Sequence, residues 1–124
     1  MIEGRVNARL EATVALDVKG PGGRSRTVEA VIDTGYSEFL TLPPAHVSEL
    51  ALPYKTLSQA VLANGAVDTF GVYGAELIWD GQVVAVFADQ AETTPLIGMS
   101  LLEGYELRIE THIGGRVLIE SLRA

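Results

Sequence analysis

The stretch Ala30-Val31-Ile32-Asp33-Thr34-Gly35-Tyr36-Ser37-Glu38-Phe39-Leu40-Thr41-Leu42-Pro43 decides how the rest of the chain is read. Thr27 to Ile32 is short and apolar and reads as a strand, as does Phe39 to Leu42. Between them a carboxylate, Asp33, stands directly after the first strand and directly before Thr34-Gly35. An Asp at a strand end is commonly a turn former whose side chain caps its own backbone. Asp-Thr-Gly alone is a three-letter match that recurs by chance, so its surroundings carry the reading.

Upstream, Val6, Ala8, Leu10, Ala12, Val14, Leu16 and Val18 alternate with residues that are polar except for Ala15. This period of two predicts one long half-buried strand. Gly20-Pro21-Gly22-Gly23 turns the chain, so the strands on either side form a hairpin. Downstream, Pro43-Pro44 opens a short helix over Ala45 to Leu50, because a first helical turn needs no amide donors. Ser58 to Leu62 and Val67 to Trp79 read as strands around Asn64-Gly65, a strong two-residue hairpin signal. Gly71 and Gly74 are expected to bend or bulge the second of them. Asp80-Gly81 makes another hairpin, followed by a strand over Val83 to Ala88. Met99 to Glu103 reads as a short helix closed by Gly104. Tyr105 to Thr111 and Arg116 to Ser121 form a last hairpin around Gly114-Gly115. About seven or eight strands with one or two short helices make an all-β sandwich or a closed or partly open barrel.

At 124 residues the expected organisation is a single domain over residues 1–124, long enough to bury roughly two-thirds of its unfolded surface. The formal net charge of −7 argues against a protein that tracks nucleic-acid phosphates. The absence of Cys excludes disulfides, thiol catalysis and Cys-based metal sites. Two His without ligand-like spacing, His46 and His112, support neither a metal nor a cofactor. Both are expected to be solvated, His46 on an exposed helix face and His112 beside the Gly114-Gly115 turn. Trp79 and Phe87 flank the Asp80-Gly81 hairpin and are expected to pack. The longest apolar run, Val83 to Ala88, is far short of the roughly 20 residues that span a bilayer. Met1 to Arg5 lacks the apolar core of a signal peptide, so the expected setting is cytoplasmic, without membrane or nucleic-acid partners. Gly20 to Ser25 lacks the third Gly of a dinucleotide loop, and Gly35 to Phe39 and Gly98 to Leu102 each lack the final Gly of a nucleophile elbow.

Pro95-Leu96-Ile97-Gly98, followed by Met99-Ser100-Leu101-Leu102, lies about 60 residues beyond Asp33-Thr34-Gly35, with the Asn64-Gly65 hairpin between them. This order, over essentially the whole chain, resembles the retropepsins, the retroviral-type aspartic peptidases, and among them the small single-domain prokaryotic branch. The resemblance implies a retropepsin-like barrel, an aspartic endopeptidase acting on a peptide or protein substrate, and a homodimer. Peptide hydrolysis by aspartates needs two carboxyls sharing one proton, and a chain with a single Asp-Thr-Gly supplies one. It implies that Asp33 is the catalytic acid/base, that Thr34 crosses the interface to the partner's loop, and that Gly35 admits substrate backbone. Ala63, Asn64, Gly65 and Ala66 correspond to the flap that closes on substrate. Ile97 and Gly98 correspond to the element packed beneath the catalytic loop.

Two departures accompany the resemblance. Retroviral members carry a small residue and then an Asp after Asp-Thr-Gly, and pair that Asp with an Arg just after the later Gly. Here those positions are Tyr36, Ser37 and Met99. Both ends of the pair are absent together, which avoids a stranded buried charge. The loop then needs another brace, for which the Ser37 hydroxyl is the candidate. Tyr36 is expected to line or narrow the substrate cleft, and Tyr36→Ala to alter cleavage preference more than folding. Retroviral members also interleave their chain ends at the dimer interface, and here the hairpin from Tyr105 to Leu122 is the candidate for that surface. Competing readings are a catalytically weak or inactive module that binds peptide or dimerises on the same fold, and an unrelated β-sandwich with an accidental Asp-Thr-Gly.

Overall fold

A computed structural model describes residues 1–123. Its first element departs from the alternation that precedes it in sequence. The pattern from Val6 to Val18 predicts one strand, but the chain folds back at Asn7 to Glu11, giving β1 (Ile2–Val6) and β2 (Ala12–Lys19). Asn7 makes this turn. Its side-chain oxygen accepts from the amides of Arg9 at 3.0 Å and Glu11 at 2.9 Å. Its own amide donates to the Glu11 carbonyl at 2.9 Å. An Asn side chain imitates a backbone turn in this way, and the local hydrogen bonds outweigh the alternation. Leu10, apolar and in phase with the core residues, sits at φ 60° and is exposed. From Ala12 onward the period holds. Val14, Leu16 and Val18 are buried, while Ala15 and Asp17 face solvent.

β3 (Ser25–Ile32) pairs antiparallel with β2 across the Gly20 to Gly23 turn, from Lys19 opposite Ser25 to Thr13 opposite Val31. β4 (Leu40–Leu42) is fully buried and runs into α1 (Pro44–Glu49), where Pro43 caps and Pro44 opens the helix. β5 (Tyr54–Val61) and β6 (Val67–Trp79) form the long hairpin, and β7 (Gln82–Gln90) returns along β6. β8 (Leu96–Ile97) is followed by α2 (Met99–Leu102), and β9 (Tyr105–Ile109) and β10 (Arg116–Ser121) close the chain. The strands number ten where seven or eight are expected. The split at Asn7 adds one, and Leu96-Ile97, inserted between two other strands, adds another.

The turns at Asp80-Gly81 and Asn64-Gly65 are built differently. Asp80 and Gly81 both have positive φ, 50° and 77°, the two-residue turn whose twist matches its strands. At Asn64-Gly65 only Gly65 takes positive φ, 84°. There Leu62 donates to the Ala66 carbonyl at 2.7 Å and the Gly65 amide to Leu62 at 2.9 Å, which leaves a three-residue loop. The expected irregularity at Gly71 and Gly74 falls instead on the partner strand, where the register slips between Tyr54 and Thr56. At those glycines a Cβ would crowd the Tyr73 ring at 2.9 Å and the Lys55 side chain at 2.8 Å, so they make room for neighbours.

The sheet runs β5-β6-β7-β4-β8-β3-β2-β1-β10-β9. A second pairing of β6 with β2, at Val18 opposite Leu77, closes β6, β7, β4, β8, β3 and β2 into a barrel. Leu16, Leu40, Leu42, Leu77, Ile97 and Val18 fill it and are essentially solvent-free. Each such side chain contributes about 1.5 to 3 kcal/mol by burial. Trp79 is buried, with its ring edge-on to Tyr105 at 5.9 Å. Phe87, expected to pack, is 55% exposed, because it points outward from a strand whose alternate residues, Val86 and Ala88, are buried. His46 is half-buried, not on an exposed face, and its Nδ1 has no partner among the described residues. Burial and the nearby Arg26 hold its pKa below the usual imidazole value. Among the described residues no helix is long and apolar enough to cross a membrane.

Candidate functional site

Asp33 follows the last residue of β3, and the strand pairing explains how it is held. β8 lies between β3 and β4, parallel to the first at Ile32 opposite Ile97 and antiparallel to the second at Leu40 opposite Ile97. The loop from Asp33 to Phe39 must therefore pass around the end of β8. The Asp33 amide donates to the Ile97 carbonyl at 2.9 Å. The Gly35 amide donates to the Asp33 carboxylate at 2.9 Å, and the Tyr36 amide to the Asp33 carbonyl at 3.1 Å. Asp33 is partly buried, while Thr34 and Gly35 are exposed. A Cβ at Gly35 would approach the Asp33 carboxylate to 3.3 Å, so the glycine leaves that oxygen uncrowded.

The start of α2 grips the rest of the loop. Gly98 donates to the Phe39 carbonyl at 3.1 Å, Met99 to Tyr36 at 2.8 Å and Ser100 to Glu38 at 3.2 Å. The Ser100 hydroxyl donates to the Ser37 carbonyl at 2.6 Å. The brace at Ser37 is thus its carbonyl, not its hydroxyl, and the hydroxyl involved belongs to Ser100. Gly98 is buried, and a Cβ there would lie 2.1 Å from the Glu38 carbonyl oxygen and 2.6 Å from the Tyr36 ring. No side chain fits that contact. Ile97 beneath the loop is fully buried.

Tyr36 sits differently from a residue that simply lines a cleft. Its ring is half-buried, and its hydroxyl donates to the Asp89 carboxylate at 2.5 Å and lies 3.3 Å from the Leu40 carbonyl. Burial, then the hydrogen bond to Asp89, pushes the Tyr36 pKa well above that of a free phenol. Asp89, on β7, is only 9% exposed. Burial raises its pKa above the ordinary carboxylate value, and the Tyr36 hydrogen bond opposes that rise. Tyr36→Ala would leave this carboxylate without its donor, which adds a folding cost to any change in cleavage preference. Sequence reasoning missed Asp89 and Ser100. The signal for Asp89 is a carboxylate directly after the apolar run from Val83 to Ala88, where an acidic side chain that continues the strand needs a partner.

The structure gathers Asp33, Gly35, Tyr36, Ser37, Ile97 and Gly98 into one hydrogen-bonded unit, with Thr34 exposed beside Asp33. It sets Ala63, Asn64, Gly65 and Ala66 apart from that unit, at the tip of the β5–β6 hairpin, where all four are exposed. Asn64 accepts from the Ala66 amide at 2.9 Å, and no hydrogen bond ties the tip to the Asp33 loop among the described residues. Thr34 borders a shallow groove with Leu10, Ile32 and Ile109, and its hydroxyl has no partner among the described residues. Among the described residues, no three acidic or His side chains gather as a metal site would require.

No family model matches the chain, and no curated protein matches it. Solved structures do. A retropepsin-like aspartic protease from Rickettsia conorii aligns with a TM-score of 0.64 at 16% identity, over 97% of this chain and 89% of that one. The EIAV protease, complexed with the inhibitor HBY-793, aligns with a TM-score of 0.55 at 14% identity, over 78% of this chain and 89% of that one. Identities this low speak for the fold alone. The barrel with β8 threaded between β3 and β4, and the backbone alignment to both proteases, make this chain a retropepsin-like fold.

Proposed function

We propose that this chain, as one domain, is an aspartic endopeptidase that works as a homodimer, with Asp33 of each copy forming the catalytic pair. The observation that carries this reading is the Asp33 carboxylate on a loop held by β8 and α2, on a fold shared with aspartic proteases. The same loop leaves Thr34 and Gly35 open to a second copy and to substrate. Two carboxyls brought within about 3 Å cannot both ionise, so the pair shares one proton and titrates as a unit. The ionised member takes a proton from water as it attacks the peptide carbonyl. The protonated member donates to the carbonyl oxygen as negative charge develops there. Gly35 admits the substrate backbone. Ala63 to Ala66 close over the bound peptide and exclude water from the pair. Thr34 and the β9–β10 hairpin face the second copy. The reaction uses no cofactor and no metal.

The test is purified protein against a diverse peptide mixture over a pH series, read by mass spectrometry, beside Asp33→Asn. Cleavage that disappears in the variant and falls as pH rises is the expected result. Wild-type cleavage by the variant overturns the mechanism. Mixing wild type with a ninefold excess of Asp33→Asn should lower activity per wild-type chain by about tenfold, by random pairing of subunits. Activity unchanged by mixing, under conditions that exchange subunits, would place the whole site in one chain.

A further inference from the structure

The anchors of the Asp33 loop fall on two sides, and they are unequal. Every backbone hydrogen bond that leaves the loop goes to residues 97–100, on the strand and helix that it wraps. The Tyr36 side chain ties the loop to the barrel elsewhere, its hydroxyl bonding Asp89 of β7, two strands from β8 in the sheet. We propose that Asp89 is a positioning residue for the Asp33 loop and acts through the Tyr36 hydroxyl. The inference deepens the peptidase reading and rests on it only for its kinetic consequences.

Asp89 lies opposite Thr41 of β4 and Val72 of β6, so its backbone belongs to the rigid barrel. Its carboxylate has no other side-chain partner among the described residues. A buried carboxylate without a donor is costly, and a buried phenol without an acceptor also loses free energy, so each group requires the other. A short hydrogen bond to a charged group is directional, which a hydrophobic contact is not. The ring it orients passes close to Gly98, where even a methyl group would collide with it. The main chain of Tyr36 bonds on one side to the Asp33 carbonyl and on the other to the Met99 amide. A displaced ring therefore shifts the peptide units that present the Asp33 carboxylate. Small displacements of a reacting group reduce turnover steeply.

Tyr36→Phe, Asp89→Asn, Asp89→Ala and the double variant Tyr36→Phe/Asp89→Ala are compared with wild type by steady-state kinetics on a cleaved peptide. Hydrogen exchange at the Gly35, Tyr36 and Met99 amides is measured on the same proteins. The expected result is a kcat about tenfold lower for Tyr36→Phe, with KM within about twofold. The three amides exchange faster. Asp89→Asn keeps an acceptor and recovers most of the loss. Asp89→Ala matches Tyr36→Phe, and the double variant is no worse than either. If Asp89→Ala fails to fold, Tyr36→Phe and Asp89→Asn still carry the comparison. Wild-type kcat and exchange in Tyr36→Phe overturn the proposal, as do losses that multiply in the double variant. If the wild type cleaves nothing, the peptidase reading fails on its own terms, and the exchange rates still decide whether Asp89 holds the loop.

Discussion

The Asp33 loop and the β5–β6 hairpin are both exposed excursions from the barrel, yet their support differs sharply. The loop spans seven residues, and five of them, Asp33 and Tyr36 to Phe39, have a backbone group bonded to residues 97–100. Beyond Val72 the hairpin pairs only with itself among the described residues. Leu57, Val61 and Val67 are more than half exposed on it, and no residue of β5 is buried. An isolated two-stranded ribbon is marginally stable in water, whereas a loop wrapped around a core strand opens only when that strand does. The molecule therefore pairs a fixed carboxylate with a less supported arm, the division that the proposed closure over a peptide requires.

The largest effect should come from Gly98→Ala. Its Cβ would collide with backbone, so unfolding free energy should fall by about 3 kcal/mol, read from a denaturant midpoint. Tyr36→Ala should come next, at about 2 kcal/mol, since it strands the Asp89 carboxylate and opens space behind the loop. Gly65→Ala, at the hairpin tip, meets no neighbour and pays only for positive φ, about 1 kcal/mol. That cost should appear as faster amide exchange within β5 and β6 and leave the barrel amides unchanged. Equal losses for Gly98→Ala and Gly65→Ala would break the contrast between the two regions. The smallest effect should be Leu57→Ser, within about 0.5 kcal/mol of wild type. A larger loss would mean that the arm is covered in solution.

Two carboxylates give opposite pH signatures. Asp89 has a raised pKa in the folded state, so its contribution is fully present below the ordinary value of 3.8 and is lost as pH rises through its elevated value. Asp89→Asn should gain stability relative to wild type across that window. Glu110 is lowered to about 2, chiefly by its hydrogen bonds to Arg116. Its contribution is present above 4.5 and is lost as pH falls toward 2. As this pair lies at the surface, salt should diminish its effect. Thermal melts of Glu110→Gln and Asp89→Asn from pH 2 to 7 would separate the two.

Much of the fold was legible because it is written locally. Val67 to Trp79 and Arg116 to Ser121 emerge as strands with the expected bounds, and the Asn64-Gly65 and Asp80-Gly81 hairpins turn where the sequence turns them. The long alternation from Val6 failed as a single strand because one Asn side chain supplies two hydrogen bonds that a periodicity count does not see. Leu96-Ile97 has no extended pattern of its own, and becomes a strand only because β3 and β4 leave a slot for it.

The sequence by itself determined the barrel-forming alternation, the turns and the position of Asp33 after an apolar strand. Each depends on neighbouring residues or on a residue type with few alternatives. Only the tertiary structure decided that Ser100 grips the loop, that Tyr36 reaches Asp89, and that the hairpin stands free of the barrel. Those contacts join residues tens of positions apart, and which groups meet is set by how β8 threads between β3 and β4.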